Sequence, residues 1–514
     1  MIKSVFQSKR FRVIFLFVFI LFSGFCSHCF SQAGFLDQTF GSSGRLNIAA
    51  SADGSSAQSI IVQKDGRIVT AGTSTIGFGY GTMTIYRHNS NGTLDGNFKG
   101  TGKVTIKFAG QYDSENASDI GQQADGKLVV VGSAPSNSLN AFAIARIQPT
   151  GYLDSSFGSV GKVLTNYGTL NIAATDVEIQ SDKKIVVAGQ ATGSSTFIVV
   201  ARYDTTGALD PSFGLNGFVK ITAGASDYCT SLKIQNDGKI LVGGYTSIST
   251  SDKLLIIRLK TNGNLDTTFG NSGKKIIPIG TYGSHLNDLA LQIDGKIVAA
   301  GNVRDTNYYK CMVARLDTTG MLDPTFASGG ILVTHNYKSS YYEAVTIQPD
   351  GKIVAGGKAN YLSTDDFLLS RFDAQGNADL SFGVSGDMTT NFYTNESCHG
   401  IALEITGKIV AAGGPNFLIS RYNSGLYTGL TERNVNGSLQ LFPNPASNFL
   451  TVRTNFTAKG EVMLQDLTGR IVHREEVEND TFVIDVSKIA AGIYFVTLLQ
   501  HDQAVAQGKL VTTR

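Results

Sequence analysis

Ten residues, Gln235-Asn236-Asp237-Gly238-Lys239-Ile240-Leu241-Val242-Gly243-Gly244, restrict this chain more than any other stretch, because they recur. The phrase returns at 63–72, 123–132, 180–189, 292–301, 348–357 and 404–413, with Lys183 for the turn glycine in one copy and Thr406-Gly407 in another. Its terminal glycines, Gly72, Gly132, Gly189, Gly244, Gly301, Gly357 and Gly413, stand 60, 57, 55, 57, 56 and 56 residues apart. A fixed period of this size marks a repeat architecture. Asp-Gly between alternating apolar residues predicts strand, two-residue type I′ turn, strand.

A second phrase, Leu-Asp-x-x-Phe-Gly-x-x-Gly, opens at Leu36 and returns at Leu94, Leu153, Leu209, Leu265, Leu322 and, with alanine first, Ala378. A short alternating segment follows each copy, as in Lys103 to Phe108. Before each Gln the apolar residues alternate with small or polar ones: Val177 and Ile179 against Asp176 and Glu178, Leu289 and Leu291 against Asp288 and Ala290. A period of two means a strand. With a third segment ending in Arg (Arg202, Arg258, Arg371, Arg421), each unit holds four strands and no helix-period segment. The expected fold is therefore all-β: a seven-bladed β-propeller, residues 32–426. The last unit stops after its third strand, and the N-terminal segment supplies the missing phrase and strand. Closure by that N-terminal strand would leave no open sheet edge. Residues 427–438 read as a linker, and 439–514 as a small C-terminal β-sandwich with strand runs between turn signals.

The 58 glycines in 514 residues exceed the usual ~7% and suit a chain of tight turns. A net charge of +2, with no basic run beyond the first dozen residues, argues against nucleic acid. Residues 1–31 read as a signal peptide: Lys3, Lys9, Arg10 and Arg12 precede the apolar run Val13 to Phe22, with the cut between Ser31 and Gln32. Cys26 and Cys29 fall inside it. Cys229, Cys311 and Cys398 are too few and too scattered for a disulfide framework or a metal cluster.

The two repeat phrases resemble those of the delta-60 repeat family, propeller-like bacterial surface or secreted proteins. The tail resembles the type A C-terminal sorting domain of the Bacteroidetes type IX secretion system, through Pro443-Asn444-Pro445, Asp466-Leu467-Thr468-Gly469-Arg470, Gly492-Ile493-Tyr494 and Lys509-Leu510-Val511. That resemblance implies a partner in the type IX machinery, secretion across the outer membrane, tail removal, and an extracellular or surface-attached product.

The recurrent Arg and Asp invite an active-site reading, but a feature repeated in every unit serves the unit, and Arg–carboxylate pairs commonly hold turns. Function belongs where units differ. The expected ligand-binding residues are Tyr112, Tyr167, Tyr282, Tyr308, Tyr337, Tyr341 and Tyr393 at loop tips on one face, where a ring gives area and its hydroxyl direction. His285, His335 and His399 in equivalent loops would be needed for a metal or a His base, yet no ligand spacing supports either. Glu115, Glu178, Glu343 and Glu396 are the unranked candidates for a glycosidase pair. No nucleophile elbow, P-loop or dinucleotide fingerprint appears. The expectation is a monomeric binding module for a glycan or surface protein, without catalytic residues, metal or cofactor. The alternatives are a polysaccharide hydrolase or lyase, or a structural adhesion protein.

Overall fold

The computed structural model describes residues 33–48, 55–76, 79–108, 110, 113–305, 308–334, 337–360, 364–425, 437–454, 460–466, 471–500 and 503–513. The signal segment with Ser31 and Gln32, most of the linker, Tyr112, His335 and the motif residues Leu467, Thr468, Gly469 and Arg470 lie outside them. Among the described residues every regular element is a β-strand.

One unit explains the others. Strand Ser226–Ile234 pairs antiparallel with Ile240–Ile248, which pairs with Ser251–Leu259, which pairs with Lys274–Ile277. Leu232, Val242, Leu255 and Ile257 from this sheet pack with Val186, Ile198 and Phe213 of the preceding one. Up to Tyr422 the strands form five four-stranded sheets and one of eight. The eight-stranded sheet is two successive units joined by a single parallel bridge, Asp252 to Gly283. In another sheet the order is Arg45–Asn47, Leu418–Tyr422, Ile409–Gly414, Ser397–Leu403, so the N-terminal strand lies beside the third strand of the last unit.

The hairpin turn differs from the type I′ expectation. Gly238 N–H donates to the Gln235 carbonyl, Gln235 N–H donates to Lys239, and of the intervening residues only Gly238 is left-handed, at φ 81°. This is a three-residue loop, a tight turn followed by one left-handed residue. It tolerates Asn236 and Asp237 in ordinary conformations, and Asp237 Oδ1 accepts the Lys239 N–H at 3.1 Å. In the unit lacking the glycine, Lys183 takes the left-handed place at φ 69°.

The terminal glycine has a different reason. Opposite it, each first strand carries an extra residue: the register shifts between Cys229 and Ser231, leaving Thr230 unpaired. Such a bulge bends the strand and brings its backbone close to its neighbour. A Cβ on Gly244 would stand 1.9 Å from the Tyr228 carbonyl oxygen, and on Gly132 1.8 Å from that of Asn116. No side chain fits there.

The recurrent Arg–Asp pair holds units together. Arg258 Nε donates to Asp266 Oδ2 at 2.8 Å, its guanidinium lies 4.6 Å from the buried Phe269 ring, and Nη1 donates to the Thr318 carbonyl of the next unit at 2.5 Å. Six counterparts repeat the arrangement, on Phe40, Phe98, Phe157, Phe213, Phe326 and Phe382. For Arg421 the aspartate and the ring come from the N-terminal phrase: Nε donates to Asp37 at 2.7 Å, and Phe40 lies under the guanidinium.

In the tail the sheet order is Ile471–Val477, Gly460–Asp466, Gly492–Gln500, Gln503–Thr512, Gly437–Phe442, Phe449–Thr454, Thr481–Asp485. Leu450, Val452 and Ile484 from one end of this path share a core with Val462, Val496 and Leu498 from the other. Asn444 fixes the Pro-Asn-Pro turn to the last strand, donating to the Lys509 carbonyl at 2.7 Å and accepting the Val511 N–H at 2.8 Å. Tyr494 is buried, with its hydroxyl donating to the Ala490 carbonyl, while Gly492 pairs with Thr512.

Candidate functional site

The bulges build the site. Their extra residues are Gln58, Ser118, Thr175, Thr230, Asn287, Glu343 and His399, one from each first strand. All seven line two cavities at once, one of about 610 Å³ and one of about 440 Å³, and so form a throat between them. An extra residue falls out of the ladder, and here several reach across to neighbouring backbone: Thr175 donates to the Ala188 carbonyl at 3.1 Å, Thr230 to the Leu286 carbonyl at 2.8 Å and Asn287 to the Tyr342 carbonyl at 2.7 Å. The seven comprise six residue types, every one able to hydrogen-bond.

The larger cavity, the mouth, is completed by Thr73, Asn116, Asn302 and Tyr341. Tyr341 is set between neighbours: its ring centroid lies 4.8 Å from that of Tyr309, and the Lys358 ammonium lies 5.0 Å from it. Lys358 is in turn paired with Asp365 at 2.8 Å. At the throat, Glu343 accepts the Ser397 hydroxyl at 2.6 Å. His399 Nδ1 donates to the Ala57 carbonyl at 2.7 Å, leaving Nε2 3.5 Å from Glu343.

The smaller cavity is charged. Asp119, Asp176 and Asp288 each accept a backbone N–H of the following unit, from Val177 at 3.0 Å, Leu232 at 2.6 Å and Val345 at 2.9 Å. These three stitch successive first strands together. Lys233 lies among Asp176, Glu178 and Asp288 at 3.6 to 3.8 Å, too far for direct hydrogen bonds. Burial, with Asp119 adding repulsion, pushes the Asp176 and Glu178 carboxyls up, and Lys233 opposes this. Burial also works against the Lys233 charge, but the surrounding carboxylates overcome it and hold its ammonium above the ordinary range.

The signs decide a pH dependence. A carboxyl raised by folding contributes stability that is present at low pH and lost as pH rises through its folded pKa. The depressed carboxyls act in the opposite sense. Burial opposes ionisation at Asp37 and Asp379, but hydrogen bonds and lysine partners hold both at about 2, so their contribution is lost as pH falls from ~4 toward that value. Thermal melts should therefore peak in mild acid and decline toward neutrality. Asp176→Asn, whose amide oxygen still accepts the Leu232 N–H, should flatten the decline, by at most about 1.4 kcal/mol per pH unit for one proton. A difference from the parent that stays constant between pH 4.5 and 8 would refute this account.

The structure redistributes the sequence candidates. Tyr341 reaches the mouth, but from strand Ser339–Ile347 rather than a loop tip. Tyr167 packs against Phe197 and Phe218, and Tyr337 packs against a core. Tyr282, Tyr308 and Tyr393 are exposed, with Lys338 beside the Tyr308 ring, and none of them lines either cavity. His285 and His399 are not equivalent: both lie on strands, and the counterpart of His399 is Asn287. His285 pairs with Asp252 at 2.9 Å and stacks on Tyr245, which stacks on Tyr228, a ladder that sequence reading missed. Glu115 and Glu396 are buried caps, accepting backbone N–H groups of Phe108 and Phe392, whereas Glu178 and Glu343 face the cavities. Cys229, Cys311 and Cys398 are free and buried. Among the described residues no group of His, Cys, Asp and Glu could hold a metal ion.

Fold and tail together define an exported all-β protein built of propeller repeats. Residues 440–513 match the secretion system C-terminal sorting domain family, and this tail directs export across the outer membrane, to the cell surface or beyond. Six segments, 63–98, 123–157, 180–213, 235–269, 292–326 and 348–382, match a beta-propeller family described as a domain of unknown function (DUF5122). The match takes in six units rather than the seven read from sequence; the phrase at 404–413 lies outside it. No curated protein matches the chain. Similar solved structures include Drosophila Semaphorin 2a, at 8% identity and TM-score 0.46 over 95% of this chain and 100% of that one. The WD40 beta propeller domain of Doa1 matches at 10% and 0.41 over 73% and 96%. PorZ of Porphyromonas gingivalis, a surface component of the type IX secretion system, matches at 11% and 0.32 over 88% and 70%.

Proposed function

We propose that the seven units close into one ring, and that the exported ring is a binding module whose ligand enters at the mouth. Closure is supported by the pairing of Arg45–Asn47 with Leu418–Tyr422, and by a core that joins Phe40, Ala57 and Ile68 to Val410, Phe417 and Ile419. In this reading residues 1–31 are a signal peptide cut after Ser31, 32–426 the ring, 427–438 a linker and 439–514 the cleavable tail.

One observation carries the binding reading. The seven bulge residues share one structural position and one cavity, yet span six residue types. Repetition explains what is the same in every unit; it does not explain a throat where polar chemistry changes from unit to unit. A varied ring of donors and acceptors beside a fixed aromatic suits a hydroxyl-rich ligand, so a glycan is the favoured class, ahead of a protein loop. The Glu343–His399 pair in the throat keeps polysaccharide cleavage as the second reading.

The test is a glycan array probed with the purified secreted protein. A reproducible hit should weaken at least tenfold in Tyr341→Ala and Asn287→Ala variants that melt like the parent. Binding indifferent to both changes would remove the mouth from the account. Incubation of the hit with the protein, followed by product analysis, separates binding from cleavage.

A further inference from the structure

We propose that the ring carries a gate between its sixth and seventh units: the first strands there part and rejoin, widening the throat and connecting the mouth with the smaller cavity. The inference rests on the closed-ring reading above.

Units are counted here by their first strands, from Ser56–Val62 to Ser397–Leu403. Around most of the ring, side chains tie each unit to the main chain of the next first strand. From unit four to unit five, Thr230 donates to the Leu286 carbonyl and Ser231 accepts the Leu289 N–H at 3.2 Å. From unit five to unit six, Asn287 donates to the Tyr342 carbonyl and Asp288 accepts the Val345 N–H. Asp119 and Asp176 make the N–H tie at the two junctions before these. His399 makes the carbonyl tie where unit seven meets unit one. Between units one and two, Thr73 accepts the Ala117 N–H at 3.3 Å.

Between units six and seven these ties are missing among the described residues. The two tying positions hold Glu343 and Ala344. A carboxylate has no hydrogen for the Cys398 carbonyl, and a methyl group cannot accept the Ile401 N–H. The counterpart of Thr73 is Lys358, whose ammonium is not an acceptor either. The Ile401 N–H does not turn back to its own hairpin. Glu404 N–H bonds to the Lys408 carbonyl, and such pairs alternate along an antiparallel ladder, so Ile401, three residues earlier, faces the neighbouring unit. What joins the two inner edges is one side-chain pair, the Ser397 hydroxyl on Glu343 at 2.6 Å.

The outer side of the same junction is pinned. Arg371 donates to the Ser424 carbonyl with its guanidinium 4.6 Å from the Phe382 ring, and Gly383 N–H donates to the Ala33 carbonyl at 2.8 Å. Phe367, Leu369 and Ile401 share a core across the junction, as apolar residues do between other units, so the missing ties set this junction apart. A joint loose inside and pinned outside moves as a hinge. Its lips are Glu343 and His399, 3.5 Å apart, and both line the two cavities. Parting them opens the passage that the throat otherwise narrows.

Two native cysteines supply the test. Cys229 and Cys398 occupy the same place, the residue before the bulge, at a tied junction and at the untied one. They are 2% and 0% exposed, so neither reacts without an opening. The experiment is labelling of the purified secreted protein with a maleimide well below its melting temperature, each site read by mass spectrometry. Cys398 should react at least tenfold faster than Cys229, although Cys229 lines the mouth and Cys398 lines neither cavity. Ala344→Asp, which copies Asp288, and Ala344→Ser, which copies Ser231, should melt no lower than the parent. Each should slow Cys398 at least fivefold and leave Cys229 unchanged. Equal rates at the two cysteines, or a Cys398 rate indifferent to both variants, overturn the gate and leave the closed ring standing. Labelling of Cys398 as fast as in denatured protein overturns the closed ring as well.

Discussion

A protein lacking residues 33–48 is expected to lose its cooperative melt and to aggregate during purification. Those residues complete the last unit rather than begin the first. Asp37 accepts hydrogen bonds from Arg421 and Lys408 at 2.7 Å each, and Phe40 is fully buried beneath the Arg421 guanidinium. Removing one partner of a buried ion pair costs about 3–5 kcal/mol. Deleting a buried phenylalanine costs a similar ~3–5 kcal/mol. The strand Leu418–Tyr422 would also lose its ladder with Arg45–Asn47 and become an open edge. These contributions are not additive, since the groups touch. Even one of them is a large share of a total stability of about 5–15 kcal/mol. Phe40→Ala is the graded version and should lower the melting temperature without abolishing the transition. If the truncated protein melts cooperatively at the parent's temperature, ring closure through this segment is wrong.

The same seam shows what the sequence could and could not reveal. The missing phrase of the last unit and its presence at the other end of the described chain are both patterns of residues, so the partnership of Asp37 with Arg421 was legible. The strand count of each unit was legible for the same reason: a period of two in Val177, Ile179 and their counterparts survives in any surroundings. The throat was not. A bulge inserts a residue without changing composition, and Thr230 or Ser118 looks like any polar strand residue until the register is known. Its one trace was the terminal glycine of the repeated phrase, required because the bulged backbone of Tyr228 approaches Gly244 too closely for a Cβ. The aromatic candidates failed in a related way. Tyr content marks a surface only where a side chain is free to face it, and whether Tyr167 packs on Phe218 or meets solvent depends on neighbours distant in sequence. Glu343 and His399 were visible as residue types; their meeting required two successive first strands to present bulge residues to one throat.

The second large effect is expected within a single unit. Arg258→Ala should destabilise the protein by about 3–5 kcal/mol, because it leaves the Asp266 carboxylate buried with its strongest partner gone. Arg258 and Asp266 side chains are only 7% and 3% exposed. Lys239, 3.7 Å from Asp266, is the remaining cation, and Thr268 still donates to Oδ1 through its hydroxyl at 2.8 Å. Arg258→Lys should recover little. A guanidinium here makes an ion pair, lies against Phe269 and donates to the Thr318 carbonyl of the next unit, all from one plane; an ammonium cannot do the three together. The loss should also be directional. Hydrogen exchange should accelerate at the Asp266–Phe269 turn and at the turn holding Thr318, where the guanidinium bridge is cut, before it does so in strand Ile240–Ile248. Calorimetric melting and exchange mapping on the same variant test both parts. A destabilisation below about 1 kcal/mol would mean that the turns are held by Phe269 and the backbone alone, and that each unit is self-sufficient without the arginine bridge. The full effect, repeated at Arg202 and Arg315, would establish that each unit depends on its successor through this one side chain. That dependence gives the repeat period its physical basis: a spacing near 56 residues returns the next turn carbonyl to within reach of the same guanidinium.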